Sequence, residues 1–437
     1  MSVVTRFPPS PTGYFHIGSA RTALFNYLLA AHLGGIMSLR FEDTDKARSK
    51  KEYEDDILSG LRWLGLTYTK PELFRQSERT PIYKKYLKQL LDSGAAYEAE
   101  PGTDDPTKRI VRFKNPGASV TFHDLIRGDV SFETAELKDF VIAKNVDEPL
   151  YNFAVVIDDY ETGVTHVMRG EDHISNTPRQ ILMLEALGFP RPQYAHIPLI
   201  LAPDRSKMSK RHGAVSIDEY RAEGFLPQAL VNYLALLGWN PGGERELFTL
   251  PELAEKFDIE HVHKGGAIFD IEKLKWFNHE YLKRLPDDEY ARTLQDFTNA
   301  DVTKLPIALI RERARTLKEA ADLIASGEYA FISEEPDYKP ALLIKGAKTD
   351  AATAKKHLEE VESLLVSIPE ETFAAENIKQ VIFPYATKEG RGAVLWPLRV
   401  GLSGREKSPD PFVIASLIGK ETTLRRIKAA IAALRKL

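Results

Sequence analysis

The chain has 437 residues, more than one hydrophobic core normally serves, so two to four domains are expected. Apolar residues make up 43% and charged residues 28%, as in folded globular chains, and 59 Lys and Arg against 63 Asp and Glu leave a formal charge of -4, so any polyanion must meet a local basic patch. The complete lack of cysteine excludes disulfides, thiolate catalysis and Cys-ligated zinc, and the scattered histidines show neither His-x3-His nor His-Glu-x-x-His spacing.

In chain order, residues 3–7 (VVTRF) read as a short buried strand. A stiff loop, PPSPTGYFHIGS, follows. Beyond it Ala20, Ala23, Leu24, Tyr27, Leu28 and Ala31 recur at helical spacing, with Ser19 placed to cap the helix and Gly34-Gly35 to end it. In IMSLRFED, Met37, Leu39 and Phe41 alternate with Ser38, Arg40 and Glu42, the period of a strand. Strand, helix and strand within about forty residues form a βαβ unit with a parallel pair, which implies a Rossmann-like sheet that binds ligands beyond the carboxyl ends of its strands. Arg6 and Glu42 fall there.

From about 80 to 150 the pattern loosens into a polar stretch and short candidate strands at 110–114, 119–123 and 140–143, read as an insertion that splits the sheet. Strands are then expected at 151–157 (YNFAVVI) and 164–169, followed by a helix with Thr177 as cap, Pro178 in its first turn and Gly188 as terminator. A further strand, YAHIPLIL, leads into APDRSKMSKRHGA. Beyond about 215 helical periodicity takes over, and in the last segment Leu424, Ile427, Ile431 and Leu434 form an apolar stripe with Arg425, Arg426, Lys428, Arg435 and Lys436 off it. The opening MSVVTRF lacks a charged-then-apolar leader and no apolar run approaches the roughly 20 residues of a membrane span, so a cytoplasmic protein with no membrane contact is expected.

A helix N-terminus with unpaired N–H groups and a positive dipole end is a natural seat for phosphate. Gly13 and Gly18 permit close backbone approach, prolines 8, 9 and 11 stiffen the path, and His16 is a compact donor one turn before the helix. Far downstream, Lys207, Ser209, Lys210 and Arg211 put three cations and a hydroxyl on a second loop. Arg6 and Arg169 end expected strands, Glu42 ends another and Tyr151 begins a fourth, so all four can face one crevice. Asp43 and Asp45 could suggest a metal, but near a turn they read as caps and solvated ends.

SPTGYFHIGS paired with KMSKR resembles the signature pair of class I aminoacyl-tRNA synthetases. PSPTG, RFEDTD, YNFAVVIDD, VMRGEDHISNTPRQ and GAVSIDEYRAEGFLPQALVNYLALLGW together resemble the bacterial glutamyl-tRNA synthetase family over essentially the whole chain. The resemblance implies an α/β plus α architecture: a Rossmann catalytic domain at 1–80 and 151–211, an acceptor-end-binding insertion at 81–150, a stem-contact domain at 212–286 and helical anticodon-binding domains at 287–372 and 373–437. It implies ATP with Mg2+ and no zinc, L-glutamate and tRNA-Glu as partners, and a monomer; whether tRNA-Gln is also charged stays open. His16, Lys207, Ser209 and Lys210 are implied as catalytic. ATP is implied to touch His16, Gly18, Asp172, Ile200, Lys207 and Lys210, with Arg211 in support. Arg6, Tyr151 and Arg169 are implied to hold the side-chain carboxylate of glutamate, Glu42 and Ser10 its amino group, and Pro8 lies beside them where the family often has Ala, removing one N–H. Arg313 falls near an anticodon-reading position of the family.

The insertion is shorter than usual for the family. Two competing readings share the signature loops: a paralogue that glutamylates a base of tRNA-Asp, and a nucleotidylyltransferase of the same superfamily without RNA. The long helical C-terminal half argues against both.

Overall fold

A computed structural model describes residues 2–68, 73–100, 109–208, 213, 215–303 and 305–437. Ser209, Lys210 and Arg211 lie outside the described residues. The chain divides into two compact units, Met1–Leu282 and Lys283–Leu437.

In the first unit, β1 (Val4–Phe7) pairs in parallel with β2 (Ile36–Phe41) from Val4↔Ile36 to Phe7↔Leu39, and β2 pairs with β3 (Phe74–Arg75). The crossover is α1 (Ile17–His32), whose Ala20, Ala23, Leu24 and Leu28 are buried, as the spacing predicts. After α2 (Lys51–Trp63) and α3 (Thr80–Asp92) comes the insertion, with a sheet ordered β4 (Ala96–Ala99), β5 (Ile110–Phe113), β8 (Phe140–Asn145) and β9 (Glu148–Pro149). Its other hairpin, β6 (Ser119–Asp124) and β7 (Gly128–Glu133), does not stay with the insertion. It extends the central sheet instead, through the parallel pair Tyr194↔Asp124 between β6 and β11 (Gln193–Ile197), which itself runs parallel to β10 (His166–Gly170). Beside β1, the chain entering β10 is fixed by the Thr165 N–H bond to the Val4 carbonyl at 3.0 Å and the Val4 N–H bond to Thr165 Oγ1 at 2.9 Å. Arg6 and Arg169 therefore stand near the carboxyl ends of two neighbouring parallel strands, with Glu42 just past a third.

Three local expectations are corrected. The run YNFAVVI is not a strand but the start of α4 (Tyr151–Glu161). Phe153 to Ile157 are all buried, so the helix shows no polar stripe, and a short continuous apolar run cannot be told from a strand by periodicity. Tyr151 consequently opens a helix. The cap of α1 is His16 rather than Ser19: the Ser19 N–H donates to His16 Nδ1 at 3.2 Å. The cap of α5 (Thr177–Leu187) is Asn176, which frees the Thr177 hydroxyl for another use. Gly188 ends α5 in the left-handed region at φ 70° as expected.

The strand YAHIPLIL breaks at Pro198 into β11 and β12 (Ile200–Leu201), and β12 pairs with β13 (Ala267–Ile268). The second unit is helical, with Leu358, Val361, Ile378, Ile382, Leu398, Ile427 and Ile431 in its interior. Arg426 departs from its expected solvent face: it is buried, donating to the carbonyls of Phe331, Leu402 and Glu334 at 2.8 Å each, because one guanidinium can satisfy carbonyls left over at helix ends and an adjoining bend. Among the described residues no helix is long and apolar enough to cross a membrane.

Candidate active site

The stiff loop after β1 is held at every corner. Glu42 N–H donates to the Pro9 carbonyl at 3.0 Å, Lys50 N–H to the Pro11 carbonyl at 3.0 Å, and Phe15 N–H to Asp56 of α2 at 2.5 Å. Ile17 N–H bonds the Val215 carbonyl at 2.9 Å and Ile217 N–H bonds the Phe15 carbonyl at 2.8 Å, closing a two-residue antiparallel bridge between His16 and Ser216. The segment entering the second loop is equally fixed: Met208 N–H donates to Ile200 at 3.2 Å, and Lys207 sits opposite Leu201. Both flanks of residues 209–212 thus meet the His16 loop on one cavity of about 840 Å³.

That cavity is lined by His16, Gly18, Asp172, Ile200 and Lys207 and also by Arg6, Pro8, Ser10, Glu42, Tyr151 and Arg169. Every described candidate of the catalytic half is therefore brought together. Lys207 Nζ stands 3.6 Å from the Asp172 carboxylate. Burial and the nearby Lys207 cation push the His16 imidazole below its ordinary value, against Asp172. Because the Ser19 N–H occupies Nδ1, the neutral ring carries its proton on Nε2, which lies 2.9 Å from Ser19 Oγ. A Cβ at Gly18 would stand 3.1 Å from that ring, so glycine there leaves the imidazole its place.

Arg6 and Glu42 of the lining belong to a buried charge network. Arg6 Nε meets Asp159 at 3.2 Å, Arg40 Nη1 meets Asp159 at 2.6 Å, and Arg40 Nη2 meets Glu42 at 2.9 Å. Asp158, beneath, takes Arg79 Nε at 2.7 Å, Gln76 Nε2 at 2.8 Å and the Tyr83 hydroxyl at 2.9 Å. Burial raises the Glu42 carboxyl, with Arg40 opposing, whereas at Asp159 the same burial is overcome by Arg40 and Arg6, which hold it below the carboxylate range.

Among the described residues Arg169 has no carboxylate partner. Its Nε donates to His196 Nε2 at 3.2 Å and its Nη2 to Thr177 Oγ1 at 2.8 Å, while buried Nη1 has no partner. Neither neighbouring acid neutralises it: Glu171 pairs with Arg127 and accepts the Leu199 N–H at 2.8 Å, and Asp172 faces Lys207. Tyr151 bonds His173 Nδ1 at 3.1 Å, and burial with Arg169 pushes the His173 imidazole down to about 4. Asp43 and Asp45 hold protein groups, Ser77 N–H at 2.8 Å and Arg48 Nε at 2.6 Å, and no cluster of three or more His, Asp or Glu suited to a metal occurs among the described residues.

Sequence reasoning missed His173, Thr177, His196, Asp124 and Asp159. The only signal for them was polar residues at inward strand or helix positions, as with His196 in YAHIP.

Arg313, at the end of the helix Ile307–Arg313 in the second unit, pairs with Glu328 and reaches Tyr329 Oη at 3.4 Å beside a cavity of about 470 Å³ that Arg399 also lines.

A family model described as tRNA synthetases class I (E and Q), catalytic domain, matches residues 2–105 and 98–276, and one described as an anticodon binding domain matches 268–431. The chain is similar to the glutamate–tRNA ligase of Nitratidesulfovibrio vulgaris strain Hildenborough, 41% identical over 99% of both chains, and to that of Desulforamulus reducens, 39% identical over 99% of this chain and 100% of the relative. A solved glutamate tRNA ligase of Elizabethkingia meningosepticum, in complex with its amino acid, superposes with a TM-score of 0.86 at 32% identity, covering 99% of this chain and 100% of that one. Sequence motifs, cavity and relatives converge: the chain belongs to the class I tRNA synthetases of the glutamyl and glutaminyl group.

Proposed function

We propose that the chain ligates L-glutamate to tRNA-Glu through a glutamyl-adenylate. The α-carboxylate of glutamate attacks the α-phosphorus of ATP and expels pyrophosphate; the ribose hydroxyl of the 3'-terminal adenosine then takes the glutamyl group and releases AMP. Neither step requires a protein nucleophile, so positioning and charge stabilisation carry the catalysis. His16 donates from Nε2 to phosphate oxygens, its lowered pKa keeping it neutral without loss of that donor. Lys207 turns from Asp172 toward the phosphates, with Ser209, Lys210 and Arg211 of the same loop in support. The α-helical N-terminus that His16 caps adds its dipole. Magnesium, on this reading, enters as the counter-ion of ATP and offsets phosphate charge, since the acidic side chains around the cavity are already engaged by protein groups.

Arg6, Tyr151 and Arg169 take the side-chain carboxylate, with Arg6 also tied to Asp159, and Glu42 with Ser10 receives the ammonium. Gly18, Ile200 and Asp172 border the nucleotide, and Pro8 shapes the wall near Ser10. In the second unit Arg313 reads the anticodon, with 287–372 and 373–437 as its domains, 212–286 on the tRNA stem and 81–150 at the acceptor end. The chain works as a cytoplasmic monomer.

The observation that carries the reading is one cavity lined by His16, Lys207 and Arg169, whose buried Nη1 has no partner among the described residues. The test is aminoacylation with radiolabelled glutamate, ATP and purified tRNA-Glu or tRNA-Gln. Label on intact tRNA-Glu that is lost when the 3' ribose is oxidised with periodate is expected. Label that survives oxidation, or no label on either tRNA, would refute the reading; the tRNA-Gln arm decides the breadth of charging.

A further inference from the structure

Behind Arg169 lies a buried chain of groups that the ligation chemistry does not itself use. His196 Nδ1 meets Asp124 Oδ2 at 2.6 Å, and its Nε2 faces Arg169 Nε at 3.2 Å and Thr177 Oγ1 at 3.2 Å. Asp124, Thr177 and His196 are 0% exposed and Arg169 is 5% exposed. Neutral imidazole has one donor and one acceptor. A carboxylate can only accept, so Nδ1 carries the proton, and the Nε2 lone pair is turned to the guanidinium. Asp124 is fixed in turn by the N–H groups of Ile126 at 3.0 Å and Arg127 at 2.9 Å, and Leu125 N–H bonds the Tyr194 carbonyl at 2.8 Å.

We propose that Asp124 and His196, with Thr177, are positioning residues that clamp one edge of Arg169, so that the insertion between the two sheet halves completes the pocket that distinguishes glutamate from glutamine. The proposal rests on the amino-acid reading given above. With Nε and Nη2 occupied, the guanidinium cannot rotate, and Nη1, buried at the cavity's edge, is its one nitrogen without a partner among the described residues. A carboxylate reaching it completes the set of bonds; a carboxamide brings its own N–H groups and no charge. Asp124 ends β6, the strand by which that hairpin of the insertion joins the central sheet beside β11.

The discriminating substitution is Asp124→Asn. An asparagine can still accept the backbone N–H groups, but its amide can donate to His196 Nδ1, which moves the imidazole proton to Nε2 and sets N–H against N–H at Arg169. ATP–pyrophosphate exchange is measured with tRNA-Glu present, for glutamate and for glutamine. The expected result is a rise of at least tenfold in the KM for glutamate, a KM for ATP within twofold of wild type, and a fall of at least tenfold in the glutamate-to-glutamine ratio of kcat/KM. Unchanged glutamate KM and ratio, or equal rises for glutamate and ATP, would overturn the clamp. Thr177→Val, which removes the second acceptor, gives the same selective change if Asp124→Asn does not fold. Independently, nitrogen-15 NMR of histidine-labelled wild-type protein is expected to show His196 protonated at Nδ1; protonation at Nε2 overturns the proposal. Wild-type protein inactive toward glutamate but carrying the Nδ1 tautomer would defeat the substrate reading alone, whereas active wild type with indifferent variants would defeat only the clamp.

Discussion

His16 does two jobs, and two substitutions separate them. It caps α1 through Nδ1 and, on the proposed mechanism, donates to the phosphates through Nε2. His16→Ala removes both. The lost cap costs about 1 kcal/mol, which in a unit of this size lowers Tm by about 2–4 °C. Loss of a preorganised donor to the transition state costs about 3–4 kcal/mol, roughly two to three orders of magnitude in rate. His16→Ser keeps a side-chain oxygen at the cap position but cannot reach as far as an imidazole. It should therefore recover most of the thermal stability while remaining as inactive as His16→Ala. The assays are differential scanning fluorimetry and glutamate-dependent ATP–pyrophosphate exchange with tRNA-Glu present. Exchange by His16→Ser within tenfold of wild type would refute the assignment, because the cap alone would then account for the residue.

Three further outcomes are expected. With the folded His173 pKa at about 4 and an unfolded value near 6.5, the unfolded chain binds a proton that the folded one does not, so stability is lost as pH falls through that window; in His173→Gln the pH slope of the unfolding free energy between 4 and 6.5 is smaller by up to about 1.4 kcal/mol per pH unit, and a slope equal to wild type would contradict the burial argument. Asp159→Asn leaves Arg6 and Arg40 without their shared counter-charge and should cost about 3–5 kcal/mol in urea unfolding, with a loss below 1 kcal/mol showing that the pair is dispensable. Arg313→Ala should raise the KM for tRNA-Glu at least fivefold while glutamate activation at saturating tRNA is unchanged; if Arg313 reads a base rather than a phosphate, the salt dependence of binding keeps its slope, and no change in tRNA KM would remove Arg313 from the interface.

The parts of the site that the sequence made legible are those whose chemistry is local. A proline-stiffened loop before a helix, a lysine-bearing loop after a strand and charged residues at strand ends can each be recognised within a few residues, and all of the described ones meet at the cavity. The helical identity of 151–157 was hidden because Phe153 to Ile157 are buried from every direction, and periodicity carries information only when one face meets water. The cap of α1 was assigned to serine because a histidine ring rarely accepts a backbone N–H; here the tight loop presents Nδ1 to Ser19 and leaves the other nitrogen for the cavity. The groups behind the arginines were illegible for a different reason. Asp124 and His196 are 72 residues apart and Arg6 and Asp159 are 153 apart, so their pairing exists only once the hairpin β6–β7 has joined β11 and α4 has brought Asp159 to Arg6.

The placement of those groups explains how a pocket full of charge can still choose by charge. Arg6, Arg40 and Arg79 are directly ion-paired with Glu42, Asp158 and Asp159, three guanidiniums against three carboxylates, so that set is balanced within the protein. Arg169 stands outside the balance. Its bonded neighbours, His196 and Thr177, are uncharged, and the carboxylate that anchors them, Asp124, is one imidazole further away. Had an acid met Arg169 directly, the guanidinium would have been neutralised before any substrate arrived, and glutamate would have had to displace it. With a neutral ring between them, Asp124 on the proposed clamp orients the arginine and eases the cost of burying it, yet leaves its charge unneutralised beside the cavity. On the proposed reading, binding glutamate then supplies the missing carboxylate, whereas glutamine buries the cation uncompensated, a difference of about 3–5 kcal/mol and thus roughly two to four orders of magnitude in selection. The choice is made by what the protein withholds from one arginine, and the geometry that withholds it is assembled by residues with no contact to the substrate.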